Sequence, residues 1–524
     1  MAPAPTPVPL TRRTVLAGLV GGGLAALLAA CTGTASPTAS PAPTAPSKVN
    51  GSPPTAPTPS RTVSGTATRA ASATAAATPD TGPHLVVTPT SALLDEPVAI
   101  RLVGLMPGER ATLRARSDVA GQLRDATATF SADATGTIDP ATQAPESGTY
   151  TGIDPAGLFW SGIDPYAAVG ATGTPTAERT GPIAYAYGTS PIPVTLGATV
   201  AGRAVGGATL TRLVVTPGVA RRAVGDGLAG TLFTPADPGP HPGVVVLGGS
   251  EGGISGEQRA ALLAAHGFVA LALAYFAYGS LPPQLVNVPL EYLATALDYL
   301  ATQPEVRGDR LGVVGHSRGA ELALLTGATF PRVGAVVALA PSAFVWGGLG
   351  DATGGPEPAS WTYRGQPLPF VPFHATPASR AAAEASARAG QGRADTPIFL
   401  SSLALAAQDS AATLDAAAIP VERTAGPILL VAGEADQLWP SGTFAGQIAD
   451  RLAQRGHPYP DATLRYPDTG HFFQPPNLPT SGAFIAGPAG AAPLATGGTT
   501  AGNAAAAADS WPRVLRFLAA ALGA

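Results

Sequence analysis

The rhythm of hydrophobic and polar positions changes near residue 220, and each rhythm predicts its own architecture. Between 84 and about 215 the apolar residues alternate or come in short runs. Examples are His84-Leu85-Val86-Val87, Pro97-Val98-Ala99-Ile100-Arg101-Leu102-Val103 and Ala111-Thr112-Leu113-Arg114-Ala115. Breakers such as Met106-Pro107-Gly108-Glu109 separate them, and no long amphipathic helix intervenes. Short strands cut by turns predict an antiparallel β-sandwich. Beyond about 220, apolar strands alternate with helical stretches. Gly243 to Leu247, Val269 to Leu273, Leu311 to Val314, Ala335 to Leu339 and Pro427 to Val431 read as strands. Glu257 to His266, Val286 to Gln303 and Trp511 to Leu522 read as helices. That alternation predicts a mostly parallel sheet with helices on both faces. Gly347 to Ala394 fits neither pattern and is expected to cap the sheet, and the Ala/Gly-rich stretch 486–506 is expected to be loop.

The first residues follow a different logic. Arg12 and Arg13 precede an apolar run, Val15 to Ala30, that ends in Leu28-Ala29-Ala30-Cys31. Small residues before a cysteine at the end of such a run predict a bacterial lipoprotein signal, cleaved before Cys31 with acylation of its thiol. Thr11-Arg12-Arg13-Thr14-Val15-Leu16 also matches a twin-arginine export signal. Residues 32–82 are Thr, Ser, Pro and Ala, which cannot bury enough surface to offset their ordering entropy, so they read as a tether. The expected organisation is a signal peptide over 1–31, a disordered tether over 32–82, a β-sandwich over 83–218 and a catalytic α/β domain over 219–524. The expected location is the outer face of the bacterial cell membrane, anchored through lipid on Cys31.

Composition narrows the chemistry. Charged residues are 12% of the chain, the net charge is −4, and Lys48 is the sole lysine. No basic tract suggests nucleic acid, and no Cys/His cluster suggests zinc. With one cysteine, no intramolecular disulfide can form. No metal or cofactor is expected.

One pentapeptide carries the functional reading. Gly315-His316-Ser317-Arg318-Gly319 stands between the strand ending at Val314 and a helical stretch from Ala320. Among 64 glycines a G-x-S-x-G is weak by itself, but strand, G-x-S-x-G, helix is the nucleophile elbow of α/β-hydrolases. A serine hydroxyl needs a base, and the base an orienting acid. In these proteins they follow in the order Ser, Asp or Glu, His. Three histidines follow Ser317. His374 falls in the presumed cap and His457 in a turn, both expected to face solvent. His471 follows a short strand and turn, where a base should lie. Asp436 follows the strand Ile428 to Val431 and would emerge at the edge where the elbow opens. Glu434 competes for that role, and Asp468 is expected to cap the turn before His471. The His316 ring should point away from the hydroxyl. For an oxyanion hole, the amide of Arg318 is one expected donor. Gly248-Gly249-Ser250-Glu251-Gly252-Gly253 is expected to supply the other, from Ser250 or Gly249.

At this point the chain resembles the acyl-CoA thioester hydrolase and bile acid-CoA:amino acid N-acyltransferase family over nearly all of 84–524. The resemblance rests on Leu93-Leu94-Asp95-Glu96-Pro97, Gly104-Leu105-Met106-Pro107-Gly108 and Gly157-Leu158-Phe159-Trp160-Ser161. It continues through Ala274-Tyr275-Phe276, Gly319-Ala320-Glu321, Ser360-Trp361-Thr362-Tyr363-Arg364-Gly365 and Tyr466-Pro467-Asp468-Thr469-Gly470-His471. It implies an N-terminal immunoglobulin-like sandwich joined to a C-terminal α/β-hydrolase domain, with Ser317, Asp436 and His471 as its triad. It also implies an acyl thioester or ester substrate. A serine nucleophile stands nearer the hydrolytic than the amino-acid-transferring branch. Transfer to an amine or alcohol acceptor remains the alternative, followed by an inactive envelope-binding protein. The export signal departs from the family pattern, since acyl-CoA should be scarce outside the cytoplasm.

Overall fold

The computed structural model describes residues 82–119, 121–163, 188–225, 227–350, 357–372, 410–481, 484–485 and 494–523. The expected signal peptide, tether and lipidation site at Cys31 lie outside them, as do His374 and parts of the expected cap.

The N-terminal region is built from strands. They are β1 (His84–Thr88), β2 (Ser91–Leu93), β3 (Ala99–Val103), β4 (Arg110–Val119), β5 (Gln122–Ser131), β6 (Ser147–Gly148), β7 (Ile192–Val200) and β8 (Arg203–Leu213). One sheet runs β2-β8-β7-β4-β5-β6 and a smaller one pairs β1 with β3; all pairings are antiparallel except β2 with β8. Alternation decides which face is covered. On β4, Ala111, Leu113 and Ala115 turn inward, and on β7 Val194, Leu196 and Ala198 do so. Gly206 lets the sheets meet, because a Cβ there would lie 2.8 Å from the Leu85 nitrogen. A single-turn helix, α1 (Gly157–Trp160), closes the region's core.

The second region is one eight-stranded sheet. Its members are β9 (Ala220–Val224), β10 (Ala229–Thr234), β11 (His241–Leu247), β12 (Val269–Ala274), β14 (Val306–His316), β15 (Val333–Leu339), β18 (Ile428–Gly433) and β19 (Ala462–Tyr466). The order is β19-β18-β15-β14-β11-β12-β10-β9; β10 alone runs against the rest, so its pairings with β12 and β9 are antiparallel and the others parallel. The inner strands β11, β12, β15 and β18 lack a polar face because both faces are covered. Val245 and Leu247 enter the apolar cluster on one side, and Val244 and Val246 the cluster on the other. Helices α3 (Glu291–Ala301), α4 (Arg318–Thr329) and α6 (Ser441–Gln454) cover the first side. Helices α2 (Glu257–Ala265) and α7 (Thr500–Leu522) cover the second. A short helix, α5 (Ala411–Ala417), precedes β18.

Several expectations need correction. The helix expected from Val286 starts only at Glu291, because Val288–Pro289 (β13) pairs with Trp361–Tyr363 (β16). With Gln366–Pro367 (β17) these strands make a small sheet, the described part of the expected cap. The expected loop over 486–506 is helical from Thr500. The Thr499 hydroxyl accepts the Gly502 amide at 2.9 Å, and alanine is the strongest helix former, so the Ala-rich run extends α7 backward from Trp511. The two regions belong to the same compact unit, residues 83–524. Leu93, Leu94 and Val119 share one apolar cluster with Phe473, Leu478 and Trp511.

Candidate active site

Strand β14 ends at His316 and helix α4 begins at Arg318, which leaves Ser317 as the single turning residue. Its backbone is forced to φ 55°, ψ −122°, a conformation costing on the order of 1–3 kcal/mol that persists only under surrounding constraint. The flanking glycines are a steric necessity. A Cβ on Gly315 would stand 2.0 Å from the Gly319 carbonyl oxygen, and one on Gly319 would stand 2.0 Å from that of Gly248. The Ser317 amide donates to the Leu339 carbonyl at 2.9 Å, locking the turn to β15.

A continuous line of hydrogen bonds leads from this serine. Its Oγ lies 2.8 Å from His471 Nε2, and His471 Nδ1 lies 2.8 Å from Asp436 Oδ2. Asp436 stands just beyond β18, and its other oxygen accepts the amides of Leu438 at 2.9 Å and Trp439 at 3.2 Å. All three side chains are buried. The His471 amide donates to the Thr496 carbonyl at 2.8 Å. Its ring meets Trp439 and Phe472 edge-on, with centroids 5.6 and 5.1 Å away.

The competing residues are engaged elsewhere. Glu434 pairs with Arg465. Asp468 stays exposed in its turn, where its carbonyl accepts the Thr499 amide at 2.9 Å. His457 was expected to face solvent, yet its side chain is 1% exposed. Its Nδ1 lies 2.6 Å from Asp461 Oδ2 and its Nε2 2.9 Å from the Thr424 carbonyl, a structural clasp between α6 and β19. His316 turns from the hydroxyl, as its adjacency predicted, but its Nε2 donates to the His471 carbonyl at 2.9 Å. Burial, then the neighbouring His471 and Arg259, hold its imidazole well below the usual range, so it stays neutral.

The glycine loop after β11 sits beside the elbow, and a Cβ on Gly249 would stand 3.1 Å from Ser317 Cβ. The Gly249 amide donates to Glu251 Oε1 at 2.9 Å, so it can serve an oxyanion only if that carboxylate gives way. Tyr275, at the end of β12, holds the loop from behind, its Oη 2.8 Å from the Gly248 carbonyl and 2.9 Å from that of Gly249.

Sequence reasoning assigned no role to the Arg318 side chain or to Glu321. They form a fully buried ion pair at 3.0 Å within the first turn of α4. Arg318 also donates to Ser360 Oγ and to the Trp346 and Gly347 carbonyls, the latter two at 3.2 Å. Glu321 accepts the Trp361 indole at 2.6 Å and the Trp346 amide at 3.2 Å. Burial outweighs these partners and pushes the Glu321 carboxyl up to about 7. The motif Ser360-Trp361 was visible in sequence, but its contact with the elbow was not. Among the described residues, no group of three or more His, Cys, Asp or Glu side chains could hold a metal, and no helix is long and apolar enough to cross a membrane.

Comparison with known proteins matches residues 95–226 to the acyl-CoA thioester hydrolase/BAAT N-terminal region and residues 288–524 to the BAAT/acyl-CoA thioester hydrolase C-terminal model. Human acyl-coenzyme A thioesterase 1 is 33% identical over 436 residues, covering 82% of this chain and 94% of that protein. The chain belongs to the acyl-CoA thioester hydrolase/BAAT family. The mouse acyl-coenzyme A amino acid N-acyltransferase 1 belongs to the same set of relatives, 31% identical across 83% of this chain and 96% of its own length. Among solved structures, a putative dienelactone hydrolase from Klebsiella pneumoniae overlays with a TM-score of 0.34 at 16% identity, over 57% of this chain and 98% of its own. Both branches of the BAAT family thus have counterparts close to this sequence.

Proposed function

We propose that this protein is a serine hydrolase that cleaves acyl thioesters, as an acyl-CoA thioesterase does, or carboxylic esters, through an acyl-enzyme. The observation that carries the reading is the unbroken line from Asp436 through His471 to Ser317 at a strained strand-to-helix turn. In this reading His471 Nε2 takes the Ser317 proton as Oγ attacks the acyl carbonyl. The carbonyl electron pair moves onto oxygen, where the amides of Arg318 and Ser250 receive it, with Gly249 joining if Glu251 releases it. Collapse of the tetrahedral intermediate expels the thiolate or alkoxide, which takes the proton from His471. Water then gives a proton to His471 as its oxygen bonds to the acyl carbon; collapse breaks the Oγ–acyl bond, and Oγ takes the proton back from His471 as the acid leaves. Asp436 holds the imidazole in the tautomer that accepts from serine throughout. The test is Ser317→Ala in the full chain, assayed on acyl-CoA and p-nitrophenyl esters. A loss of about four orders of magnitude or more in kcat is expected, and full retained activity would overturn the mechanism.

Acyl transfer shares the first half-reaction, and the amino acid N-acyltransferases among the relatives favour it as the second reading. Product analysis with and without glycine or taurine separates the two, because a conjugate in place of free acid marks transfer.

We further read the N-terminal strands as an immunoglobulin-like sandwich over 83–218 and the remainder, 219–524, as the catalytic domain; the gap between β8 and β9 supports that division. We read Cys31 as a lipidation site that anchors the protein to the outer face of the membrane. The apolar run and the small residues before it support this. Retention of a Cys31→Ser variant in the membrane fraction at the wild-type level would refute it.

A further inference from the structure

The loop that follows His471 leaves the α/β region and fastens onto the N-terminal strands. Asn477 Nδ2 donates to the Leu94 carbonyl at 2.7 Å, the Thr480 amide to the Trp160 carbonyl at 3.0 Å, and the Ser481 hydroxyl to the Gly162 carbonyl. Leu478 is buried in the apolar cluster that contains Leu93, Leu94, Val119 and Ile192. Asn477 sits at φ 65°, a left-handed conformation that asparagine tolerates better than most residues. On the other side, the loop is tied by Arg259, which donates to the Phe473 carbonyl at 2.6 Å, and by the His316 bond to the His471 carbonyl.

We propose that the N-terminal β-region is a working part of the catalytic apparatus, and that Asn477 and Ser481 are positioning residues through which it fixes His471. The proposal rests on the triad reading above. Its physical basis is leverage: His471 and these anchors lie on one short loop, and the imidazole must meet both Ser317 and Asp436 at 2.8 Å. A displacement of about 1 Å in such a group can lower a rate roughly a hundredfold. If the same bonds only glued two regions together, their loss would lower the melting temperature and leave the folded enzyme's kcat unchanged.

The test uses the full chain with Asn477→Gly, which keeps the left-handed backbone and deletes the donor, together with Ser481→Ala, singly and combined. His266→Gln is the comparison variant. It puts a neutral amide in place of a chargeable ring at a different contact between the regions, His266 Nε2 to Asp95 Oδ2 at 2.5 Å, which weakens that contact and does not touch the loop. The measurements are kcat and KM on a p-nitrophenyl ester, melting temperature, and the far-downfield proton resonance of His471 Hδ1 shared with Asp436. The double variant should lose about tenfold or more in kcat with KM within about twofold, and that resonance should move or broaden. His266→Gln should shift the melting temperature alone. The proposal falls if the double variant keeps kcat and the resonance, or if His266→Gln lowers kcat equally. The single variants are read by the same criteria should the double variant not fold. An active Ser317→Ala would sink the triad reading itself. An inactive Ser317→Ala with unaffected loop variants would sink only the positioning role.

Discussion

Replacing Asp436 with asparagine is the sharpest probe of this site, because the surrounding amides dictate how the new side chain must sit. One carboxylate oxygen accepts the Leu438 and Trp439 amides at 2.9 and 3.2 Å, and the other faces His471 Nδ1 at 2.8 Å. The substituted carboxamide would keep its carbonyl oxygen on the two amides, since its NH2 cannot accept from them. That orientation presents an N–H donor to His471 Nδ1, which must then give up its own proton. The imidazole is left with its hydrogen on Nε2, aimed at a serine oxygen from which it should be accepting. Geometry survives while the tautomer is wrong, so KM should hold and kcat should fall about ten-thousandfold. Four decades correspond to about 5 kcal/mol of lost transition-state stabilisation. Steady-state kinetics of Asp436→Asn on acyl-CoA and p-nitrophenyl esters measure this directly. Retention of kcat within about tenfold would refute the reasoning, since Asp436 could not then be setting the tautomer.

Gly319→Ala should disrupt the elbow, because its Cβ would meet the Gly248 carbonyl oxygen at 2.0 Å; a thermal melt should show lost stability and an ester assay lost activity. Unchanged values in both would mean the turn has room that the backbone does not display. Glu321 supplies a pH-dependent effect. Burial raises its carboxyl from 4.5 to about 7, so the folded chain binds that proton more tightly than the unfolded chain. The resulting stability is present in full below 4.5 and is lost as pH rises through about 7. Denaturant titrations of wild type and Glu321→Gln should therefore show wild type losing ground to the variant across that window, and parallel pH profiles would contradict it.

What the sequence disclosed of the site was the part that runs along the chain. Ser317 was legible because strand, turn and helix are contiguous. Asp436 and His471 were legible because both follow short strands whose ends gather at one edge of a parallel sheet. Contacts between distant segments were not. Nothing local to Glu251 announces that it occupies the Gly249 amide, and nothing local to Arg318 announces Ser360 and Trp361 as its neighbours. His457 misled for the same reason: its turn looks exposed, but Thr424, from a distant segment, covers the ring. At the fold level the Ala/Gly-rich run before Trp511 misled because low side-chain bulk serves loops and helices alike, and only the Thr499 cap decides between them.

The contact between His316 and the His471 carbonyl has a mechanical consequence. One peptide link joins His316 to Ser317, one hydrogen bond returns from His316 to the backbone of His471, and a second runs from the His471 ring to the serine hydroxyl. These links close a small triangle whose corners are Ser317, His316 and His471. A triangle braced in this way cannot shear without parting one of its sides. A movement of the loop that carries His471 must therefore carry the elbow with it as one body, or else part the hydrogen bond to the serine hydroxyl.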